Sequence, residues 1–176
     1  MEMRRKDREM PATFGLEVID RSSYGTLAVT EPNGMPYCVP LSIVRKQYTL
    51  YFHGAQSGHK AGLFASDPSV CIVFVGHAQV PDIYSEEELA GFHEYPEKAG
   101  ALISKVFTTE FESTMVRGKV RRVTDREEQI EALRSICLKY TPDKMQHFDL
   151  AIHTGLSRTA VYAVEIEEIS AKRKKL

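Results

Sequence analysis

Tryptophan is absent from this chain of 176 residues, and cysteine is scarce. The three cysteines, Cys38, Cys71 and Cys137, are odd in number, widely spaced and set in apolar patterns. They read as reduced thiols of a cytoplasmic protein rather than a disulfide framework. There is no C-x-x-C and no paired Cys/His spacing, so no structural metal is expected. No apolar run approaches the ~20 residues of a membrane span, and the basic start lacks the apolar stretch of a secretory leader. A soluble chain with no membrane partner is therefore expected. An excess of either charge is also missing, the net charge being −1, although the first eight and last five residues are basic while Glu86-Glu87-Glu88 and Glu165, Glu167 and Glu168 are acidic. Recognition of nucleic acid needs a basic surface with stacking or groove-reading partners. The two ends offer none, so they read as solvated tails with no nucleic-acid partner. No G-x-S-x-G elbow, internal repeat or low-complexity linker occurs, which excludes the usual serine-hydrolase signature and repeat architectures.

What is present is a chain 43% hydrophobic and long enough to bury its own core as one domain, residues 1–176. Phe14, Val18 and Ile19 suggest a short helix near the start. Strands are expected over 24–30, 35–44, 49–53, 70–75, 111–124 and 159–169, with Glu31-Pro32-Asn33-Gly34 and Lys46-Gln47-Tyr48 as turns. Pro36 and Pro40 each lack a ladder donor, which places their strand at an edge or bulge. The 70–75 run is apolar on both faces and belongs inside a barrel or between layers. Gly118 marks a bend in the long strand. In the last strand Tyr162, Val164 and Ile166 face one way, with Glu165 and Glu167 opposite. Thr124 to Glu127 reads as a capping box opening a helix with Ile130, Leu133, Cys137 and Tyr140 on one face, ended by Pro142. The stretch 77–108, with its Ser85-Glu86-Glu87-Glu88 cap, reads as a helical insert of two short helices over the barrel, either a lid or a dimer-packing element. The fold class expected is mainly β (α+β): a six-stranded antiparallel split β-barrel with flanking helices.

The most informative segment is Tyr51-Phe52-His53-Gly54-Ala55-Gln56-Ser57-Gly58-His59-Lys60. It ends an apolar strand, turns on small residues and opens a helix running to about Ser66. With Ser57 as N-cap, the amides of Gly58, His59 and Lys60 and the positive end of the helix dipole would face an anion. Lys60 adds a full charge and Gly58 lets the backbone approach closely. If the His59 ring shares in that contact, anion affinity should weaken as pH rises through its titration. Arg117, Lys119, Arg121 and Arg122 could steer an anion but read first as the wet face of a strand.

Several further stretches occur in order: Gly34-Met35-Pro36-Tyr37-Cys38-Val39-Pro40-Leu41-Ser42, the segment just described, Asp67-Pro68-Ser69-Val70-Cys71 and Phe111-Glu112-Ser113, after an N-terminal Arg4-Arg5-Lys6-Asp7-Arg8. Together they resemble the flavin-binding split β-barrels related to pyridoxamine 5'-phosphate oxidase, and within them the nitroimidazole-resistance subgroup. The resemblance implies FMN, with FAD the alternative. Its phosphate would sit against Ala55, Ser57, Gly58, His59 and Lys60, and its ring edge along Pro40, Leu41 and Ser42, with His53 nearby as the one candidate for catalysis. It also implies a homodimer with the cofactor site at the subunit interface, Phe111 and Ser113 coming from the second subunit. The activity implied is an oxidoreductase acting on a small-molecule substrate, a nitroaromatic such as a nitroimidazole being one acceptor. The alternative is a non-catalytic flavin- or haem-binding module, with His53, His77 or His153 as an axial ligand. Two departures stand out: Gly54 occupies a position where a hydroxyl residue is expected, and the 75–111 stretch is long for the subgroup.

Overall fold

In a computed structural model, residues 3–176 are described; Met1 and Glu2, at the start of the basic N-terminal end, lie outside them. Every strand pairing is antiparallel, and nine strands form one sheet that curls into an open barrel. In chain order these are β1 (Glu9–Met10), helix α1 (Ala12–Arg21), β2 (Gly25–Thr30), β3 (Pro36–Leu41), β4 (Val44–Lys46), β5 (Thr49–Ala55) and helix α2 (His59–Leu63). After them come β6 (Ser69–Gln79), α3 (Glu86–Glu94), β7 (Glu110–Arg122), α4 (Arg126–Tyr140), α5 (Phe148–Gly155), β8 (Thr159–Glu165) and β9 (Glu168–Lys174). The main path of neighbours is β3-β2-β6-β7-β8-β5-β4, with β9 added to β7 and β1 to β9.

All six expected strands are found, but two of them divide. The 35–44 segment breaks at Ser42-Ile43 into β3 and β4, which end the sheet on opposite sides of the split. β3 is thus an edge strand, which is why its two prolines are tolerated. The 159–169 segment breaks at Ile166-Glu167, where the Ile166 amide donates to Tyr48 and the Glu167 amide to Arg117. Here the chain passes from one half of the barrel to the other. β7 makes the same passage: residues 111–117 pair with β9 and residues 120–122 with β8. Gly118 stands between, where a Cβ would lie 2.1 Å from the Glu165 carbonyl oxygen. Glycine is required there by this close approach of two backbones.

The basic ends are not solvated tails. Residues 168–174 form β9, and Glu9 and Met10 register with Lys172 and Ala171. A strand needs backbone partners more than apolar side chains, so a basic stretch can complete a sheet whose core face is supplied by Ile169 and Ala171. β6 likewise runs on past its apolar run to Gln79, with a bulge at Gly76 between Val75 and His77.

The core holds Phe52, Phe64 and Tyr162, all within 2% of full burial. Phe52 stacks on Tyr162 with centroids 5.3 Å apart, and Phe64 meets both rings edge-on. A second cluster joins Val123, Ala132, Leu133, Phe148, Val161 and Ala163 under α4. It buries both faces of β8, which the alternation of Tyr162 and Val164 with Glu165 did not anticipate. The α4 cap is Asp125, whose carboxylate accepts from the Glu128 amide at 2.8 Å, one residue beyond the expected Thr124. In the insert the Ser85–Glu88 capping box forms as expected. The insert itself begins after Gln79 and consists of α3, a 3-10 turn (Pro96–Lys98) and a π-turn (Leu102–Val106). Ile103 and Phe107 are over three-quarters exposed.

Candidate cofactor site

Alternation along β5 decides which side chains face outward. Phe52 enters the core, so His53 and Ala55 point away from it, toward solvent. The register of β4 with β5 sets Val44 opposite Tyr51. The pairing stops at Val44, two residues short of Ser42, which the same register would set toward His53. The Ser42-Ile43 link is held from behind: the Tyr140 hydroxyl donates to the Ile43 carbonyl and accepts from its amide, both at 2.9 Å. Lys139 donates to the same carbonyl at 3.0 Å and to Ile19 at 3.1 Å. Leu41 is buried in the core, so only its backbone is available to a ligand, whereas Pro40 and Ser42 are exposed.

After Ala55 the chain turns through Gln56-Ser57-Gly58 into α2. The helix starts one residue later than expected: Gly58, at φ +106°, occupies the cap position and no side chain caps the end. Ser57 is thus not the N-cap, and its exposed hydroxyl is left to other partners. A positive φ of this size with an extended ψ is open to glycine almost alone. Phe64, buried between Phe52 and Tyr162, anchors the far end of the helical turn to the core, so the loop is pinned at both sides.

Lys60 carries the main charge. Its Cε and Nζ lie 3.1 Å from where a Cβ on Gly54 would be. A hydroxyl residue at position 54 would push the ammonium away, and the glycine lets it lie flat on the strand. Among the described residues Lys60 has no hydrogen-bond or carboxylate partner. Burial lowers its pKa from the ordinary lysine value, as expected for an ammonium partly stripped of water and not compensated. His53 is its neighbour. Desolvation by the surrounding strands, and secondarily the Lys60 charge, lower the His53 pKa, although its ring still reaches the surface. Both effects favour the neutral imidazole.

A second cation reaches the loop through a side chain that the sequence did not single out. Gln56 donates to the Thr159 carbonyl at 2.8 Å and accepts from the Arg122 guanidinium at the end of β7. The i,j register of β7 with β8 and β5 with β8 creates this meeting, and no local pattern reports it. His59 turns elsewhere. Its Nε2 lies 2.6 Å from Glu31 and its ring packs edge-on against Tyr37, 5.0 Å between centroids. The expected His59 side-chain contact with an anion beside Lys60 is thus replaced by a contact with the β2–β3 turn, although its backbone amide still opens α2.

Phe111 and Ser113 register with Ala78 and Val75 on β6 and with Lys174 and Lys172 on β9. Nine residues along β7 separate Ser113 from Arg122, or about 30 Å of strand. Across the sheet, Thr114 lies in one row with Phe74, Gly25 and Leu41, so the neighbouring Ser113 is about three strand spacings, ~15 Å, from the Leu41-Ser42 segment. Among the described residues no group of three or more His, Cys, Asp or Glu is arranged to hold a metal ion, and no helix is long and apolar enough to cross a membrane.

A family model described as pyridoxamine 5'-phosphate oxidase matches residues 16–173, nearly the whole barrel. The chain belongs to this family, and its antiparallel split barrel is the fold expected of it. Among solved structures, it is similar to a proposed 5-nitroimidazole antibiotic resistance protein from Bacteroides thetaiotaomicron at 23% identity and TM-score 0.68, over 94% of this chain and 86% of that one. A flavocytochrome from Azotobacter vinelandii superposes with TM-score 0.76 at 17% identity, over 99% of this chain and 73% of the other. An FAD- and haem-binding protein from Mycobacterium smegmatis gives TM-score 0.70 at 15% identity, over 92% and 70%. At these identities the likeness is one of fold. Among proteins of curated function, none matches the sequence significantly.

Proposed function

We propose that this chain, as a single-domain protomer of residues 1–176, is an FMN-dependent oxidoreductase that reduces a small organic acceptor, a nitroaromatic such as a nitroimidazole being one candidate. The observation that carries the proposal is Lys60, a partly desolvated ammonium with no partner, lying over a glycine at the mouth of a loop whose cap is a second glycine. A phosphate supplies what that ammonium lacks, with the Ser57 hydroxyl and the amides of Gly58, His59 and Lys60 as donors and Arg122 behind Gln56. The alternative flavin, FAD, would use the same contacts with its adenylate directed outward.

A flavin held there would supply two-electron redox chemistry between a donor such as a reduced nicotinamide and the acceptor. The protein's part is to hold and shield it. Ser42 and the backbone of Pro40 and Leu41 line one edge, with Ala55 beside the loop. His53, its neutral form favoured, offers an N–H to an acceptor that gains negative charge. Phe111 and Ser113 complete the site from a second copy, as the family resemblance implies. The proposed setting is a cytoplasmic homodimer with the site at the subunit interface, the exposed insert residue Phe107 serving its packing.

The test is anaerobic reduction of the purified protein by reduced nicotinamide, followed by addition of metronidazole. Bleaching of the flavin band, then its return with loss of the nitro absorbance, is expected. A flavin that bleaches but is not reoxidised by any nitro compound would contradict the acceptor class. A second reading, a flavin- or haem-binding module without turnover, is favoured by the two solved structures of higher TM-score, whose proteins are a flavocytochrome and an FAD- and haem-binding protein. Under that reading a Soret band appears on adding haem.

A further inference from the structure

The two basic ends of the chain meet. Pairing of β1 with β9 lays the 3-10 turn Lys6–Arg8 against the C-terminal strand. With the π-turn of the insert as a third wall they border an open cleft of about 690 Å³, whose lining includes Arg5, Arg8, Arg173, Lys174 and Lys175 and one acidic side chain, Asp7. That acid is already engaged. Arg5 donates to both of its oxygens, through Nε at 2.7 Å and through Nη2, and Arg8 lies 3.9 Å away. The hydrogen bonds from Arg5 hold the Asp7 pKa down to about 2, so it stays ionised and paired. The acids just beyond the cleft are engaged too: Glu112 with Arg21 at 2.7 Å, and Glu110 with the Leu176 amide.

Among the described residues, Arg173, Lys174 and Lys175 have no carboxylate partner. Arg173 lies over the Phe14 ring, 5.3 Å from its centroid, and Lys174 donates to the Thr108 hydroxyl on the insert. Isolated surface lysines need no explanation. Here the end of β9 borders a concavity within the size range of small-molecule sites, with Lys174 on one face of the strand at the Thr108 hydroxyl and Arg173 on the other at the Phe14 ring. Low-dielectric walls focus such a field on an anion. Met10, Ile103 and Leu176 also line the cleft and give it an apolar side.

We propose that this cleft binds a small organic phosphate of nucleotide type, with its phosphate or diphosphate among Arg8, Arg173, Lys174 and Lys175 and its aromatic part against Met10 and Ile103. Its position is suggestive: Phe111 registers with Lys174, and Ser113 with Lys172. The cleft thus adjoins the two residues proposed to complete the partner's flavin site. A role as the seat of a phosphorylated electron donor rests on that flavin reading, whereas the binding itself does not.

ADP is the probe, titrated calorimetrically into the full chain, into the Arg8→Gln/Lys175→Gln double variant and into Lys60→Ala. The proposal expects binding to the unmodified chain that weakens about tenfold or more in the double variant, persists in Lys60→Ala, falls with added salt and is not reproduced by adenosine. Thermal melting of the double variant checks that it folds. Absence of ADP binding, or binding that the double variant leaves unchanged, would overturn the proposal. Binding lost in Lys60→Ala would overturn it too, placing the phosphate at the α2 loop. Because no step of this readout involves flavin, a protein without flavin would sink the redox reading and leave the ADP result standing.

Discussion

Lys60 is where chemistry and stability separate. Its ammonium is partly desolvated and unpaired, so removing it takes away no attraction that the folded chain enjoys without ligand. Lys60→Ala is therefore expected to leave the melting temperature of the ligand-free protein unchanged or slightly raised. Its FMN dissociation constant should rise about ten- to a hundredfold, since a charge-assisted phosphate contact contributes about 1.5–3 kcal/mol. Fluorescence titration with FMN measures this, and an unchanged affinity would place the phosphate elsewhere. His53 makes a different prediction because it titrates. Its folded pKa lies below the ordinary 6.5, so in the window below 6.5 the unfolded chain takes up a proton that the folded chain refuses. The stability associated with a neutral His53 is complete above that value and is lost as pH falls through the depressed folded pKa. Urea unfolding from about pH 7 to about pH 5 should show a shallower loss for His53→Asn than for the unmodified chain. Identical slopes would mean that the imidazole is not desolvated.

At the scale of elements, β7 governs the barrel because it belongs to both halves, and Gly118 is the residue that permits this. A methyl group there meets a backbone carbonyl, which cannot swing aside as a side chain could. Gly118→Ala should lower the stability by more than about 2 kcal/mol, read as a lower urea midpoint with an unchanged slope. A midpoint equal to that of the unmodified chain would show that the crossing can relax. The same element marks how far the sequence could be read. Hydrophobic runs and turn residues located β2, β3, β5, β6, β7 and β8, and Gly118 was recognised as a bend, but not as a contact with Glu165. That contact depends on which strands cross, which local patterning does not encode. β9 escaped notice because its lysines and arginine look solvated, whereas its amides find β7 and β1. The cap slipped by one residue because Thr124 and Asp125 are chemically equivalent candidates, and the choice falls to the Val123 amide, which bonds Val161 at 2.9 Å and keeps the strand extended up to that point.

For the whole molecule, the strand-to-helix turn at Lys60 is legible in small residues beside a lysine. Its other components are not. Arg122 and Gln56 meet only because β7, β8 and β5 are neighbours, and Tyr140 reaches Ile43 across 97 residues of chain. His59 reads as part of the loop in sequence, yet the proximity of the β2–β3 turn gives it Glu31 instead. The second copy enters the account through the family resemblance, which assigns Phe111 and Ser113 to the partner's site. The central claim is that the Lys60 loop holds a flavin phosphate, and the direct measurement is the visible spectrum of the freshly purified protein together with the mass of any chromophore released on denaturation. The account predicts a flavin spectrum and the mass of FMN. A colourless protein that also fails to take up added FMN would contradict it.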